Sequence, residues 1–239
     1  MQEADILKMQ KQEKNYWWHV GRRFVFQSVL NKFLVDKKDF KIVDVGCGTG
    51  ANLNWLKKFG DVVGVDSNQT AIDFAEKKHN VTWGLANKLP FKNASANLIT
   101  AFDVLEHVKN DNDALQEWSR VLSQNGYLFI SVPAYQWLYS PHDKQMQHYR
   151  RYLLSNLLEK IKKAGFKPIF SSYFFMFVFP VFIIQRLLSK IFNAAPGYTE
   201  ASPRLNNFLI SLSKIEAWLM RGVSLPFGSS LLILAKKDD

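Results

Sequence analysis

The stretch IVDVGCGTGANLNWL, residues 42–56, sets a short β-branched apolar run against a glycine-rich turn and then a helical pattern. Such a run reads as a strand buried on both faces. Glycines at Gly46, Gly48 and Gly50 let the following backbone turn sharply and approach a ligand closely, at the point where a helix is about to begin. Working outward, VVGVD (62–66), VTW (81–83), NLITAFD (97–103) and YLFISVP (127–133) repeat the short apolar pattern. Asn52–Phe59, Gln69–His79 and Asp111–Val121 between them carry helical spacing. Strand–helix alternation predicts an α/β fold, a doubly wound, mostly parallel sheet that takes its ligand at the strands' C-terminal ends. Lys167–Tyr173 and SSLLILAKK (229–237) supply two more strands, seven in all.

The flanks are different. Residues 5–34 read as one or two helices with Tyr16, Trp17, Trp18, His19, Arg22 and Arg23 grouped together, so 1–40 is expected to form a helical cap. The α/β domain is expected over 41–173 and 228–239, with Ser155 as a helix N-cap and Gly165 as that helix's stop. Residues 174–227 read as an inserted helical hairpin. It opens on the apolar run FFMFVFPVFII (174–184), too short for a membrane span, and continues through Ser202 and Pro203 as N-cap and first-turn proline.

Of 239 residues, 47% are hydrophobic and 22% charged, which excludes a disordered chain. Cys47 is the only cysteine, so an intrachain disulfide framework and cysteine-rich metal centres are excluded. The polar opening MQEADILKMQKQEKN lacks the apolar core of a secretory signal, and a cytoplasmic protein is expected. The net charge of +10 is uneven: residues 41–135 hold nine basic against ten acidic side chains, residues 136–239 fourteen against six. An anionic partner would meet the C-terminal part.

The glycine turn admits two ligands. Gly46, Gly48 and Ala51 fit a dinucleotide fingerprint, with Asp66 placed where a ribose-binding acid belongs. Asp44 and Gly50 separate the readings, because a carboxylate beside the turn repels a pyrophosphate and suits a ligand bearing an ammonium and a sulfonium.

With DVGCGTG (44–50), GVD (64–66), LPF (89–91), DVLEHV (103–108), RVLSQNGYLFISVPA (120–134) and HYRRY (148–152) in this order, the chain resembles the class I S-adenosylmethionine-dependent methyltransferases. The resemblance is strongest to the bacterial branch containing the ubiquinone and menaquinone methylases, and it covers about 15–170 plus the last strand. It implies S-adenosyl-L-methionine as cofactor and S-adenosyl-L-homocysteine as product. Gly46, Cys47, Gly48 and Gly50 would pack on the methionine moiety, with Asp44 near its amino group. Asp66 would hold the ribose hydroxyls and Ser67 would lie beside the adenine. The family's adenine-binding Asp is replaced by Leu85, so Leu85 and Ala86 backbone or the Asn87 amide would take its place. Asp103 would begin the segment passing the reactive methyl, and Arg22 would pair the cofactor carboxylate.

Methyl transfer to a hydroxyl needs alignment and the loss of one proton. His148 and His142 are the candidate bases, and His107, Arg150 and Arg151 the candidate acceptor contacts. No metal site is expected, since His142 and Asp143 offer too few ligands. The expected function is O-methylation of a hydrophobic, lipid-linked or glycan-type small-molecule acceptor. The run 174–184, with Lys167, Arg186 and Lys190 around it, is read as a contact with an anionic membrane, as a lid over a lipidic acceptor, or as core packed on 203–221. Two alternatives stay open: an RNA methyltransferase using the basic C-terminal part, and a non-catalytic cofactor-binding scaffold. The sequence leaves the oligomeric state open.

Overall fold

The computed structural model describes residues 10–34, 39–193 and 201–238. Residues 10–15 are helical and lead into α1 (Trp17–Leu34); the expected start of this region at residues 5–9 lies outside the described residues. There follow β1 (Phe40–Val45), α2 (Leu53–Leu56), β2 (Gly60–Asp66), α3 (Gln69–Ala75), β3 (Val81–Trp83), β4 (Ala96–Phe102), α4 (Asp111–Val121) and β5 (Leu122–Pro133). Then come α5 (Pro141–Gln145), α6 (Leu154–Lys163), β6 (Phe166–Phe174), α7 (Phe179–Ile191), α8 (Pro203–Leu219) and β7 (Ser230–Lys237).

The seven strands form one sheet in the order β3-β2-β1-β4-β5-β7-β6. Only β7 runs against its neighbours, β5 and β6. The chain reverses direction across the sheet between β1 and β4, which opens a crevice at their C-terminal ends. In register, Asp44 of β1 stands between Gly64 of β2 and Thr100 of β4.

Each sheet face has its own core. On one, Leu115 and Trp118 of α4 and Leu157 and Ile161 of α6 pack on Ile99, Leu128 and Ile233. On the other, Val25, Phe26, Val29 and Leu30 of α1 meet Phe102, Phe129 and Phe174. Phe26 stacks on Phe102 with ring centroids 4.2 Å apart and stands edge-on to Phe129 and Phe174.

The expected hairpin is corrected. Its two helices pack on different partners: α8 lies along α1, and α7 lies on α5 and the 3-10 turn Gln136–Leu138. The α1–α8 crossing is close because Gly21 faces Ser213, where a Cβ would fall 2.4 Å from the Ser213 Oγ. Ser28 Oγ donates to the Ala217 carbonyl at 2.6 Å across the same contact. The apolar run 174–184 is also not one element. Phe174 ends β6 and Phe175 turns the chain at φ 61°, so the run divides between sheet core and α7. Three local expectations shift as well. α2 is a single turn, α3 stops at Ala75, and α6 begins at Leu154 after Leu153 with no side-chain cap, so Ser155 is inside the helix. Ser202 does cap α8, accepting from Leu205 N.

Glu216 of α8 secures the turn into α7. It is buried, and its carboxylate accepts from Met176 N at 3.1 Å. Burial raises its pKa to about 7, with backbone amides of residues 175–177 opposing the rise. The folded state therefore keeps this proton while the unfolded chain releases it near the ordinary value of 4.5. The stabilisation is complete below that value and is lost as pH rises through 7. Glu216→Gln should remove this dependence. Between pH 5 and pH 8, wild type should lose roughly 2–3 kcal/mol of unfolding free energy relative to the variant in urea titrations; parallel stability curves would contradict it.

Candidate active site

The glycine turn leaves β1 at the sheet's reversal point. Gly46 N and Cys47 N both donate to the Val65 carbonyl, at 2.7 and 3.0 Å, drawing the turn over the end of β2. Gly46 sits at φ +69°, and a Cβ there would meet Val104 Cγ2 at 2.4 Å, so conformation and space both require glycine. Gly48, at φ +54°, donates its N–H to Asp66 Oδ2 at 2.8 Å, while Asn68 N donates to Asp66 Oδ1 at 2.9 Å. Asp66 thus stands at the tip of β2 and ties the glycine turn to the start of α3.

Asp44 lies beneath. It is buried, and its Oδ1 accepts from Thr100 Oγ1 at 2.5 Å, while Oδ2 has no partner. Burial pushes its pKa up to about 7, against the Thr100 bond. An orphaned carboxylate oxygen under a turn of left-handed glycines fits a ligand that brings an ammonium group. The residues present therefore fit S-adenosylmethionine.

Next to Asp66, Ser67, expected beside the adenine, accepts at its carbonyl from Trp83 Nε1 at 3.1 Å. Leu85, Ala86 and Asn87 form a turn closed by Lys88 N donating to the Leu85 carbonyl. The buried Trp118 fixes that turn by donating its indole N–H to the Ala86 carbonyl at 2.9 Å. The Cys47 side chain packs inward against Gly64, and burial pushes the thiol well above its ordinary range.

The N-terminal segment closes over this crevice. Glu13 accepts from the Thr49 hydroxyl, and Arg22, stacked 4.2 Å over Trp18, pairs with Asp103. Asp103 itself turns at φ +56° beyond β4 and accepts from Ser131 Oγ at 3.3 Å. Arg22, expected to pair the cofactor carboxylate, has Asp103 as its partner here.

Beyond Asp103, the 3-10 turn Leu105–His107 brings Glu106 and His107 toward His148. The His107 and His148 rings stand perpendicular, 4.6 Å between centroids, and Tyr149 N donates to the Glu106 carbonyl at 2.8 Å. Glu106 is fully buried, and burial together with the Asp103 charge raises its pKa well above its ordinary value. Behind them lies Asp143, wholly buried on α5. It accepts from Ser140 N and Ser140 Oγ at 2.9 and 3.1 Å and from Arg151 Nε at 2.8 Å, and it meets His148 Nδ1 at 3.2 Å. Arg186 Nη1 is 3.7 Å away. Although burial alone would raise it, these donors and cations hold the Asp143 carboxyl well below the usual carboxylate range.

Three sequence expectations change here. Arg151, 6% exposed, is spent on Asp143 and the Ala134 carbonyl, and so does not face an acceptor. Arg150 pairs with Asp111 at 3.0 Å and donates to the Lys109 carbonyl. His142 is not part of the Glu106–His107–His148 group, and burial together with the Arg186 charge lowers its pKa to about 4. Asp143 and Glu106 were missed as site residues. The Ser140-Pro141-His142-Asp143 order, an N-cap, a first-turn proline and an acid three residues on, was the available signal for the first.

Residues 43–130 match the methyltransferase domain family. An uncharacterized protein of Methanocaldococcus jannaschii is 36% identical over 105 residues, 44% of this chain and 46% of that protein, so the chain spans under half the length of that relative. The ubiquinone/menaquinone biosynthesis C-methyltransferase UbiE of Campylobacter jejuni is 24% identical over 91% of this chain and 86% of its own. Among solved structures, Haemonchus contortus phosphoethanolamine N-methyltransferase 2 in complex with S-adenosyl-L-methionine superposes with a TM-score of 0.61 at 18% identity, over 89% of this chain and 52% of its own. With the glycine turn, Asp44, Asp66 and the β1/β4 crevice in place, the chain carries a methyltransferase domain of the class I, S-adenosylmethionine-dependent kind over residues 43–130.

Proposed function

We propose that this chain methylates an oxygen of a hydrophobic or lipid-linked acceptor at the crevice between the glycine turn and Glu106, His107 and His148. The observation that carries the acceptor's character is the face of α7. Val181, Ile184 and Ile191 are 70%, 60% and 73% exposed, and Phe192 extends the same apolar surface. Bound S-adenosylmethionine supplies an electrophilic methyl on a sulfonium. The chain's own residues hold the acceptor in line with it and take up the hydroxyl proton as the carbon–oxygen bond forms and the carbon–sulfur bond breaks. His148, oriented by Asp143 through Nδ1, is the candidate for that proton. The C. jejuni relative acts in quinone biosynthesis, and a long apolar acceptor of that general kind suits α7.

No helix among the described residues is long and apolar enough to cross a membrane, so contact would be at one leaflet's surface. Arg186 does not serve such a contact, because it is buried against Ser140 and Asp143. Lys167 and Lys190 remain on the exposed side. Wild-type protein should float with liposomes containing anionic lipid. Ile184→Glu/Ile191→Glu, which alters exposed positions only, should lower the floated fraction at least about fivefold, each buried apolar side chain being worth about 1.5–3 kcal/mol. Equal flotation of the two proteins would remove the membrane reading, and methyl incorporation into RNA rather than lipid extract would replace the acceptor.

A further inference from the structure

We infer that Glu106, His107 and His148 form a binding site for a divalent transition-type cation beside the methyl-transfer crevice. The ligand atoms of these three side chains all lie within 4.8 Å of one another. Bonds of about 2.1 Å to one cation place ligands roughly 3–4 Å apart, so small side-chain rotations complete the set.

Two further observations point to a ligand. Glu106 is 0% exposed, yet neither carboxylate oxygen has a hydrogen-bond partner in another residue. A buried carboxylate left bare is costly, and a cation is the strongest available compensation. The second is the support behind the histidines. His148 turns Nδ1 to the buried Asp143 carboxylate at 3.2 Å, leaving Nε2 for a ligand, and the His107 ring donates to the Gln147 backbone carbonyl. A carboxylate on the far nitrogen fixes tautomer and orientation, as it does behind metal-bound imidazoles generally. Asp143 is in turn locked by Ser140 and Arg151, so this support is rigid.

One carboxylate and two imidazoles favour Mn2+, Co2+ or Zn2+ over Mg2+ or Ca2+, and three protein ligands leave positions open. Resting on the proposed methyl transfer to oxygen, the open positions take the acceptor hydroxyl, with a second acceptor oxygen where one is adjacent. Coordination would lower the hydroxyl's pKa, its proton would leave to solvent, and the oxygen would attack the methyl carbon as the carbon–sulfur bond breaks, its electron pair staying on the sulfur of S-adenosylhomocysteine. His148 then assists deprotonation as a ligand, in place of taking the proton itself.

The test is titration of the full chain with Mn2+, followed by the loss of the free-ion electron paramagnetic resonance signal, with S-adenosylhomocysteine titrated into the same preparations. Wild type should bind one Mn2+, and Glu106→Gln and His148→Ala should each bind it at least roughly tenfold more weakly with unchanged circular dichroism. His148 is only partly buried, so its variant keeps the test open if Glu106→Gln misfolds. Wild type that binds S-adenosylhomocysteine but no Mn2+, or equal Mn2+ affinity in wild type and His148→Ala, would overturn the cation site. Site-dependent Mn2+ binding without S-adenosylhomocysteine binding would uphold it and overturn the methyltransferase reading.

Discussion

Gly48→Arg should fold with its sheet intact and bind S-adenosylhomocysteine at least about 100-fold more weakly than wild type, a loss of roughly 2.7 kcal/mol. Gly48 stands at φ +54°, where an arginine is strained, and its N–H is the one that ties the turn to Asp66 Oδ2. A long cationic side chain there also enters the space beside Asp66. The sheet itself is untouched, since the nearest strands end at Val45 and Asp66. Calorimetric titration with circular dichroism on the same samples checks both halves. Affinity within fivefold of wild type in a folded variant would detach the ligand from this turn.

Asp143→Ala should be the most destabilising single change at the site, by about 3–5 kcal/mol. Asp143 is wholly buried, and its removal takes the carboxylate they share from between Arg151 and Arg186 while freeing Ser140 N and His148 Nδ1. An uncompensated buried cation costs more than the pair contributed. In a chain of this length that corresponds to a fall in Tm on the order of 10 °C. A melting temperature within 2 °C of wild type would mean that the two arginines find water or other acceptors, and that Asp143 does not hold the α5–α7 layer together.

The α/β core was legible in the sequence because its information is local. IVDV, VVGVD and NLITAFD carry apolar runs of strand length bounded by turn residues, and each became a strand of the sheet. The glycine turn between Asp44 and Asp66 was legible for the same reason: its left-handed positions at Gly46 and Gly48 constrain residue type position by position. What failed depended on partners far away in the chain. Arg151 read as an acceptor contact and Arg186 as a cation flanking the apolar run until Asp143, 8 and 43 positions away, was seen between them. The run 174–184 read as one apolar segment, and only Glu216 on α8 shows why the chain breaks at Phe175–Phe177. Cys47 sits in the glycine turn, but its side chain is taken by the space over Gly64. Glu106 lay inside a quoted motif, and its unpartnered burial appears only when β4, β5 and the HYRRY segment are brought together.

The account stands on the ligand of the glycine turn, and calorimetric titration of the wild-type chain with S-adenosylhomocysteine, with NADH as control, tests it most directly. One site per chain for S-adenosylhomocysteine and none for NADH is the expected result, because Asp44 at the base of the turn favours an ammonium and disfavours a pyrophosphate. Binding of NADH in preference, or no binding of S-adenosylhomocysteine, would contradict it.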